Sequence, residues 1–337
     1  MDRWDEAAEA YQRTSELAPD NASARCNLGV MLLRSQRFGE AAAAFQQAIV
    51  LAPSLIEAHF NLGKALSAKG RYDEAIAAYQ EVIRLQPTHA MAYRSRGILL
   101  YRLERSDEAA AMFRDWLALD PANPVAKHML AAHSKQDVPE RAADNYVQQL
   151  FDGMADSFDD HLHRLEYRAP ELVAAAVVTR VGRPEAAFNV LDAGCGTGLC
   201  GPSLRPYARR LVGVDLSPRM VERARSRGDY DEVAIAELTA FLIDRPAAYD
   251  LIVSADTLVY FGQLEPVLTA TAAALRPEGW LAFTVEQVAE QDAPAGFDLD
   301  SSGRYQHSEA YLRRVLAQVG FCLLYTSPSP RDGLLSR

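Results

Sequence analysis

Two periodicities divide the chain. From its start to about position 130, small, aromatic and proline positions return at one fixed step. Gly29, Gly63 and Gly97 keep this step, as do Ala7, Ala41, Ala75 and Ala109. So do Tyr11, Phe45, Tyr79 and Phe113, then Pro19, Pro53, Pro87 and Pro121, and Glu6, Glu40, Glu74 and Glu108. Further on, short apolar segments alternate with amphipathic stretches at helical spacing. Ala169 to Thr179, Ser217 to Arg227, Leu264 to Leu275 and Ser308 to Val319 read as helices, and Ser217-Pro218 supplies a cap and first helical residue. Five strand-like segments between them predict a parallel doubly wound sheet. The fold class expected is therefore α followed by α/β.

A 34-residue step of this kind reads as tetratricopeptide repeats, an α-solenoid. Glycine and alanine let the two helices of a repeat approach, and we expect the aromatic to fill the gap to the neighbouring repeat. The glutamate falls in the first turn of the second helix, where the dipole favours an anion, and proline stops that helix. Three full repeats span about 22 to 123, and residues 1 to 21 supply only the second helix of an earlier one. Because terminal repeats need caps, the native chain is expected to start upstream. The concave face of such a solenoid holds a protein or peptide partner. Cys26, Val30, Phe60, Lys64, Arg94, Ile98 and Tyr101 are its inward positions.

The most informative run is Val190-Leu191-Asp192-Ala193-Gly194-Cys195-Gly196-Thr197-Gly198. Phe188, Val190 and Leu191 are apolar, an acid closes the strand, and three glycines follow at alternate positions. A second strand, Arg210 to Asp215, lies one helix beyond the glycines and also ends in an acid. This is half of a nucleotide-binding sheet, with Asp215 placed as acceptor for a ribose diol. Gly196, Gly198 and Gly201 also spell the dinucleotide fingerprint. Asp192 argues the other way: a carboxylate just before the first glycine repels a pyrophosphate and suits a cation. S-adenosylmethionine carries an ammonium, a sulfonium and a ribose diol, and no phosphate.

From here the sequence resembles the class I S-adenosylmethionine-dependent methyltransferases, a Rossmann-like family. Val190 to Gly198 resembles the first motif and Leu211 to Ser217 the strand with the ribose-binding acid. Ala234-Ile235-Ala236-Glu237-Leu238 resembles the stretch that meets adenine. Tyr249 to Asp256 resembles the fourth strand and its active-site end, and Leu275 to Trp280 the turn into the fifth. The resemblance covers about residues 145 to 321. It implies that Asp192, Gly194, Cys195, Gly196 and Gly198 cradle the methionine part, with Ala255 beside them. Asp215 would take the ribose hydroxyls, Leu216 would cover adenine, and Glu237 and Leu238 would meet its edge. Glu237 departs from the more usual Asp.

Ser134 to Pro139 breaks the helical pattern and reads as a linker. Next, apolar residues at 147, 150, 151, 154, 158 and 162 recur at helical steps. This stretch resembles the N-terminal helices that close over the cofactor in small-molecule methyltransferases, so Phe151, Phe158 and His161 are expected to line a lid. Asp256, Tyr260, His161 and Glu286 are polar candidates near the methyl group, Asp256 and Tyr260 the catalytic pair. Residues 253–260 contain no Asp-Pro-Pro-Tyr type motif, which disfavours amide and adenine amino acceptors. The expected division is 1–130 repeats, 131–168 linker and lid helices, 169–325 methyltransferase domain with its last strands incomplete, and 326–337 a non-native tail. Cys322 to Tyr325 is the one further strand candidate.

Composition narrows the setting. A net charge of −10 argues against a nucleic-acid substrate, and no apolar run is long enough for a membrane span. The first residues are not a signal peptide. Four scattered cysteines form neither a disulfide framework nor a metal-spaced cluster, so no metal is expected and a reducing cytoplasm fits. The leading expectation is methyl transfer to a small-molecule or protein acceptor, with the repeats recruiting a protein. The alternatives are an adaptor that binds the cofactor without turnover, and a nicotinamide-dependent oxidoreductase.

Overall fold

A computed structural model describes residues 2–165, 167–181 and 185–322. The chain forms two compact units, Met1–Gln136 and Asp137–Arg337.

The first unit is a run of antiparallel helices: α1 (Asp2–Leu17), α2 (Ala22–Arg34), α3 (Phe38–Leu51), α4 (Ile56–Ala68), α5 (Tyr72–Leu85), α6 (Ala90–Arg102), α7 (Ser106–Leu119) and α8 (Pro124–Ser134). Each first helix starts at the same repeat position. Asn21 and Asn123 accept from the backbone N–H of Ala24 and Ala126 at 2.9 Å, and His89 Nδ1 accepts from that of Ala92 at 3.1 Å. Each second helix opens with a clamp that keeps the same step. Arg37, Arg71 and Arg105 pair with Glu40, Glu74 and Glu108 of the first turn. These pairs are exposed, so each adds little stability, but the glutamates sit where the helix dipole wants them.

The repeat glycines are fixed by contact. A Cβ on Gly29 would stand 2.6 Å from the Phe45 ring, one on Gly63 2.6 Å from Tyr79, and one on Gly97 2.8 Å from Phe113. The aromatic therefore lies across the glycine of its own repeat, and Phe113 also reaches the next helix as expected, stacking on His133 of α8 with ring centroids 5.3 Å apart. The cause is steric, because only a bare Cα leaves room for a ring between two helices this close. Phe60 also meets His89, the cap of α6, with ring centroids 5.0 Å apart. Cys26, expected on the concave face, is only 2% exposed and belongs to the core, and burial pushes its thiol up to about 11. Met91, Ile98 and Tyr101 are exposed.

The second unit begins with α9 (Asp144–Met154), a short turn, α10 (Phe158–Arg164) and α11 (Ala169–Val181). Then come β1 (Phe188–Ala193), α12 (Gly201–Leu204), β2 (Ala208–Asp215), α13 (Pro218–Arg227), β3 (Glu232–Ile235), α14 (Leu238–Ile243), β4 (Tyr249–Ser254), α15 (Glu265–Ala274) and β5 (Leu275–Phe283). The five strands form one parallel sheet in the order β3-β2-β1-β4-β5. Strand order reverses between β1 and β4, so a crevice opens at their C-terminal ends, where a ligand sits in such sheets. The expected cap of α13 is present: Ser217 Oγ accepts from Met220 N at 3.2 Å.

After β5 the chain makes an element that the alternation of strands and helices does not announce. Strands β6 (Glu286–Gln287), β7 (Phe297–Leu299) and β8 (Tyr305–His307) form a second small sheet before α16 (Glu309–Gln318). Its strands are two or three residues long, too short for an alternation to show. The expected tail at 326–337, and the strand expected at 322–325 beyond Cys322, lie outside the described residues.

Gly63→Ala tests the packing of the repeats. The added methyl gains up to about 1 kcal/mol of helix propensity but forces Tyr79 off its seat, and overpacking of this kind costs about 1–3 kcal/mol. Urea denaturation of the full chain is expected to show net loss, with the additional substitution Tyr79→Leu recovering part of it.

Candidate active site

The turn after β1 holds three glycines at left-handed φ: +80° at Gly194, +53° at Gly196 and +89° at Gly198. A Cβ on Gly194 would run into the Thr257 side chain, so no other residue fits there. Gly196 is different. A Cβ there would approach only the Phe158 ring, at 4.0 Å, and so would occupy open space above the turn. The underside rests on Tyr230, whose ring blocks a Cβ at Gly198, Gly201 and Gly213.

Asp192, in register with Gly213 and Val253, is completely buried. The Tyr230 hydroxyl donates to its Oδ2 at 2.6 Å, whereas Oδ1 has no partner. Burial pushes its carboxyl up to about 7. A buried carboxylate with one oxygen unpaired is costly unless a cation or donor completes it. Asp215 stands at the end of β2 and accepts from Gly196 N through Oδ2 and from Ser217 N through Oδ1, both at 2.9 Å. Burial raises its carboxyl, and the backbone donors work against that rise. Each oxygen keeps a second lone pair for a ligand hydroxyl.

The remaining expected cofactor residues divide. Leu216 is half-buried behind Asp215, and Ala255 is half-buried past β4. Cys195 ties its backbone N–H to Val214 O at 2.9 Å, but its side chain turns inward against Gly213. Burial, then Asp192 and Asp215, push that thiol up, so it is unreactive. Glu237 caps its own helix: the carboxylate accepts from Thr239 N at 3.0 Å and Ala240 N at 2.8 Å. Leu238 is 7% exposed and packs in the core of the unit.

Of the lid candidates, Phe151 and Phe158 come together, their rings edge to face at 5.9 Å, and Phe151 meets Tyr260 at 5.5 Å. His161 is exposed on α10. Asp159, also on α10, reaches the glycine turn: Thr197 Oγ1 donates to it at 2.5 Å. Asp152 likewise accepts from Ser217 Oγ at 2.5 Å. Three arginines one helical turn apart on α13 complete the docking. Arg219 and Arg223 reach Asp156 at 2.6 and 3.1 Å, and Arg227 reaches Asp159 at 2.5 Å.

Asp256 follows β4 with φ +54°, and its N–H donates to Thr284 Oγ1 at 2.8 Å. Glu286 lies on β6. Sequence reasoning missed Tyr230, Thr257, Thr284 and Arg304, none of which stands in a motif or a period. It also missed the arginine row, although steps of four from 219 to 227 facing acids at 152, 156 and 159 are visible in the sequence. Among the described residues no group of three or more His, Cys, Asp or Glu side chains is placed to hold a metal ion. No described helix is long and apolar enough to cross a membrane.

The sheet order, the glycine turn and the two acids define a methyltransferase fold. Residues 191–281 match the family model of a methyltransferase domain, and residues 1–56 and 60–124 match that of a tetratricopeptide repeat. The chain thus joins tetratricopeptide repeats to a methyltransferase domain. Human (Homo sapiens) methyltransferase-like protein 27 is 32% identical over 115 residues, which are 34% of this chain and 44% of that protein. The ubiquinone biosynthesis O-methyltransferase of Bordetella pertussis is 31% identical over 103 residues, 28% of this chain and 42% of that protein. The chain spans less than half the length of these curated relatives. A solved S-adenosylmethionine-dependent methyltransferase from Mesorhizobium loti is 20% identical with a TM-score of 0.38, covering 49% of this chain and 88% of its own.

Asp192 makes the unliganded protein pH-sensitive in a specific direction. Its folded pKa, about 7, lies above the ordinary value of 3.8, so the folded state keeps a proton that the unfolded state has lost. Stability from this group is complete below about pH 4 and is lost as pH rises through about 7. Denaturation midpoints of wild type and Asp192→Asn, compared from pH 4 to 8, should diverge in favour of the variant by a few kcal/mol.

Proposed function

We propose that the second unit binds S-adenosylmethionine and transfers its methyl group to a small-molecule or protein acceptor, while the repeats recruit a protein partner on their concave face. One observation carries this reading. Asp192 is a buried carboxylate with one oxygen unpaired, at the edge of a glycine turn whose open side a Cβ would fill. That is a seat for an ammonium group, and it repels a diphosphate. The fit favours this donor over a nicotinamide dinucleotide. It does not separate an enzyme from a cofactor-binding adaptor, which the transfer assay below does.

In this reading Asp192 and the turn from Gly194 to Gly198 hold the methionine part, and Asp215 the ribose. Leu216 lies against the adenine, and Glu237 serves chiefly as a helix cap. The bound donor supplies an electrophilic methyl carbon; the chain supplies position, dryness and charge. Phe151 and Phe158 cover the turn, excluding water from the reacting atoms. Orienting two reactants in this way is worth about 7–11 kcal/mol of barrier. Asp256 and Tyr260 stand at the acceptor end. Asp152, Asp156 and Asp159 hold the lid to the glycine turn and α13.

Three outcomes test this. Calorimetry should show S-adenosylhomocysteine binding and no NAD binding. Because the ammonium needs Asp192 ionised, affinity should rise up to about tenfold per unit from pH 6 to 7 and level off above. Asp192→Asn should cost about 30-fold or more and flatten that dependence. Stopped-flow release of S-adenosylhomocysteine should be several-fold faster in Asp156→Lys and in high salt, since the lid pairs are exposed and screened. Tritiated methyl should pass from the donor into a bacterial lysate only with the active chain; binding without transfer identifies an adaptor.

A further inference from the structure

The small sheet between β5 and α16 brings charge to the end of β4 that the central sheet does not supply. Arg304, just before β8, ion-pairs with Glu286 of β6, Nε to Oε1 at 2.7 Å. The N–H does not lie along that approach, so Nε remains without a hydrogen bond. Arg304 Nη2 lies 3.7 Å from Asp256 Oδ2, and Thr284 Oγ1 donates to Asp256 Oδ1 at 2.9 Å. Tyr167 hydrogen-bonds to Asp256, Tyr260 faces Arg304, and Asp300 adds its charge against Glu286. The Arg304 and Glu286 side chains are only 25% and 19% exposed.

This cluster adjoins the glycine turn on two sides. Thr257, next to Asp256, lies against Gly194. Tyr260 meets Phe151, which meets Phe158 above Gly196. Two carboxyl groups, Asp256 and Glu286, face one guanidinium in this largely desolvated place, and the charge of Asp300 acts on Glu286 as well. An acceptor that is itself a carboxylate or a phosphate would add negative charge where negative charge is already in excess. A hydroxyl or an ammonium meets acceptors instead, and its attacking atom must shed a proton.

We propose that the acceptor is a hydroxyl or ammonium compound rather than a carboxylate, and that Glu286 takes its proton while Arg304 positions Glu286. This rests on the reading of the second unit as a methyltransferase. The lone pair that the departing proton leaves on the acceptor oxygen or nitrogen forms the bond to the methyl carbon. The carbon–sulfur pair stays on sulfur, and the acceptor's proton passes to a Glu286 carboxylate oxygen. Burial already raises the proton affinity of Glu286, which suits a base.

The test uses the full chain, tritiated donor and bacterial lysate, followed by mild base. Ethers and methylamines keep their label in base, whereas methyl esters release volatile methanol. Retained label is expected, and label lost as methanol overturns the proposal. Glu286→Gln should bind S-adenosylhomocysteine as wild type does in calorimetry, which shows that the site is folded. It should slow transfer by about 10²–10⁴-fold, the usual worth of a general base. Transfer at the wild-type rate in that variant also overturns it. Arg304→Gln should slow transfer, and Arg304→Lys should restore most of it if the charge positions Glu286; no difference between the two removes that role. A wild-type chain that binds S-adenosylhomocysteine and labels nothing removes the transfer reading and this one with it, whereas base-released label removes this one alone.

Discussion

The second unit is organised around a carboxylate taken out of water with half of its hydrogen-bonding capacity filled. Asp192 sits in the central strand of a parallel sheet, where an ionised group is tolerated only with a specific partner. Tyr230 supplies one such partner from below. The same ring props up Gly198, Gly201 and Gly213, so the shape of the turn and the polarity of the acid are set by one side chain. Gly213 is part of that arrangement, because any side chain there would collide with Cys195 and Tyr230.

The two acids of the site are held by opposite means. Asp215 accepts from two backbone N–H groups and is locked to the turn it faces. Asp192 has one side-chain donor and one open oxygen. The first arrangement fixes geometry, and the second stores a preference for positive charge. The helical segment before the sheet adds a third layer, docking Asp152 and Asp159 on the hydroxyls of Ser217 and Thr197, each next to or within the segments that carry these acids.

Much of this is legible from residue order. The fixed repeat step announces the helix pairs, because a glycine and an aromatic must recur wherever two helices cross at the same distance. The strand–glycine–strand pattern announces β1, β2 and both acids, since a strand ends where its polar residue meets the crevice. What stays hidden depends on side chains meeting across the fold. Tyr230 lies in a short connection with no pattern, and only the folded sheet brings it under Asp192. Arg304 and Glu286 stand at opposite ends of an insert whose strands are too brief to alternate. Glu237 is suggested as a ligand residue by its position, and only the fold shows that its carboxylate also caps the N-terminus of α14.

The insert from Thr284 to Ser308 hangs between two regular elements and pairs its strands only with each other. Its root is tied to the central sheet, where Thr284 N donates to Ser254 O of β4 at 3.0 Å. The two acids of the site, by contrast, end strands of the central sheet that cannot change without disturbing the core. The groups proposed for the acceptor side stand instead on a segment seated by its own side chains, with Leu299, Tyr305 and His307 fully buried and Tyr305 donating to Pro139 O at 2.7 Å, so that segment can vary only around these anchors.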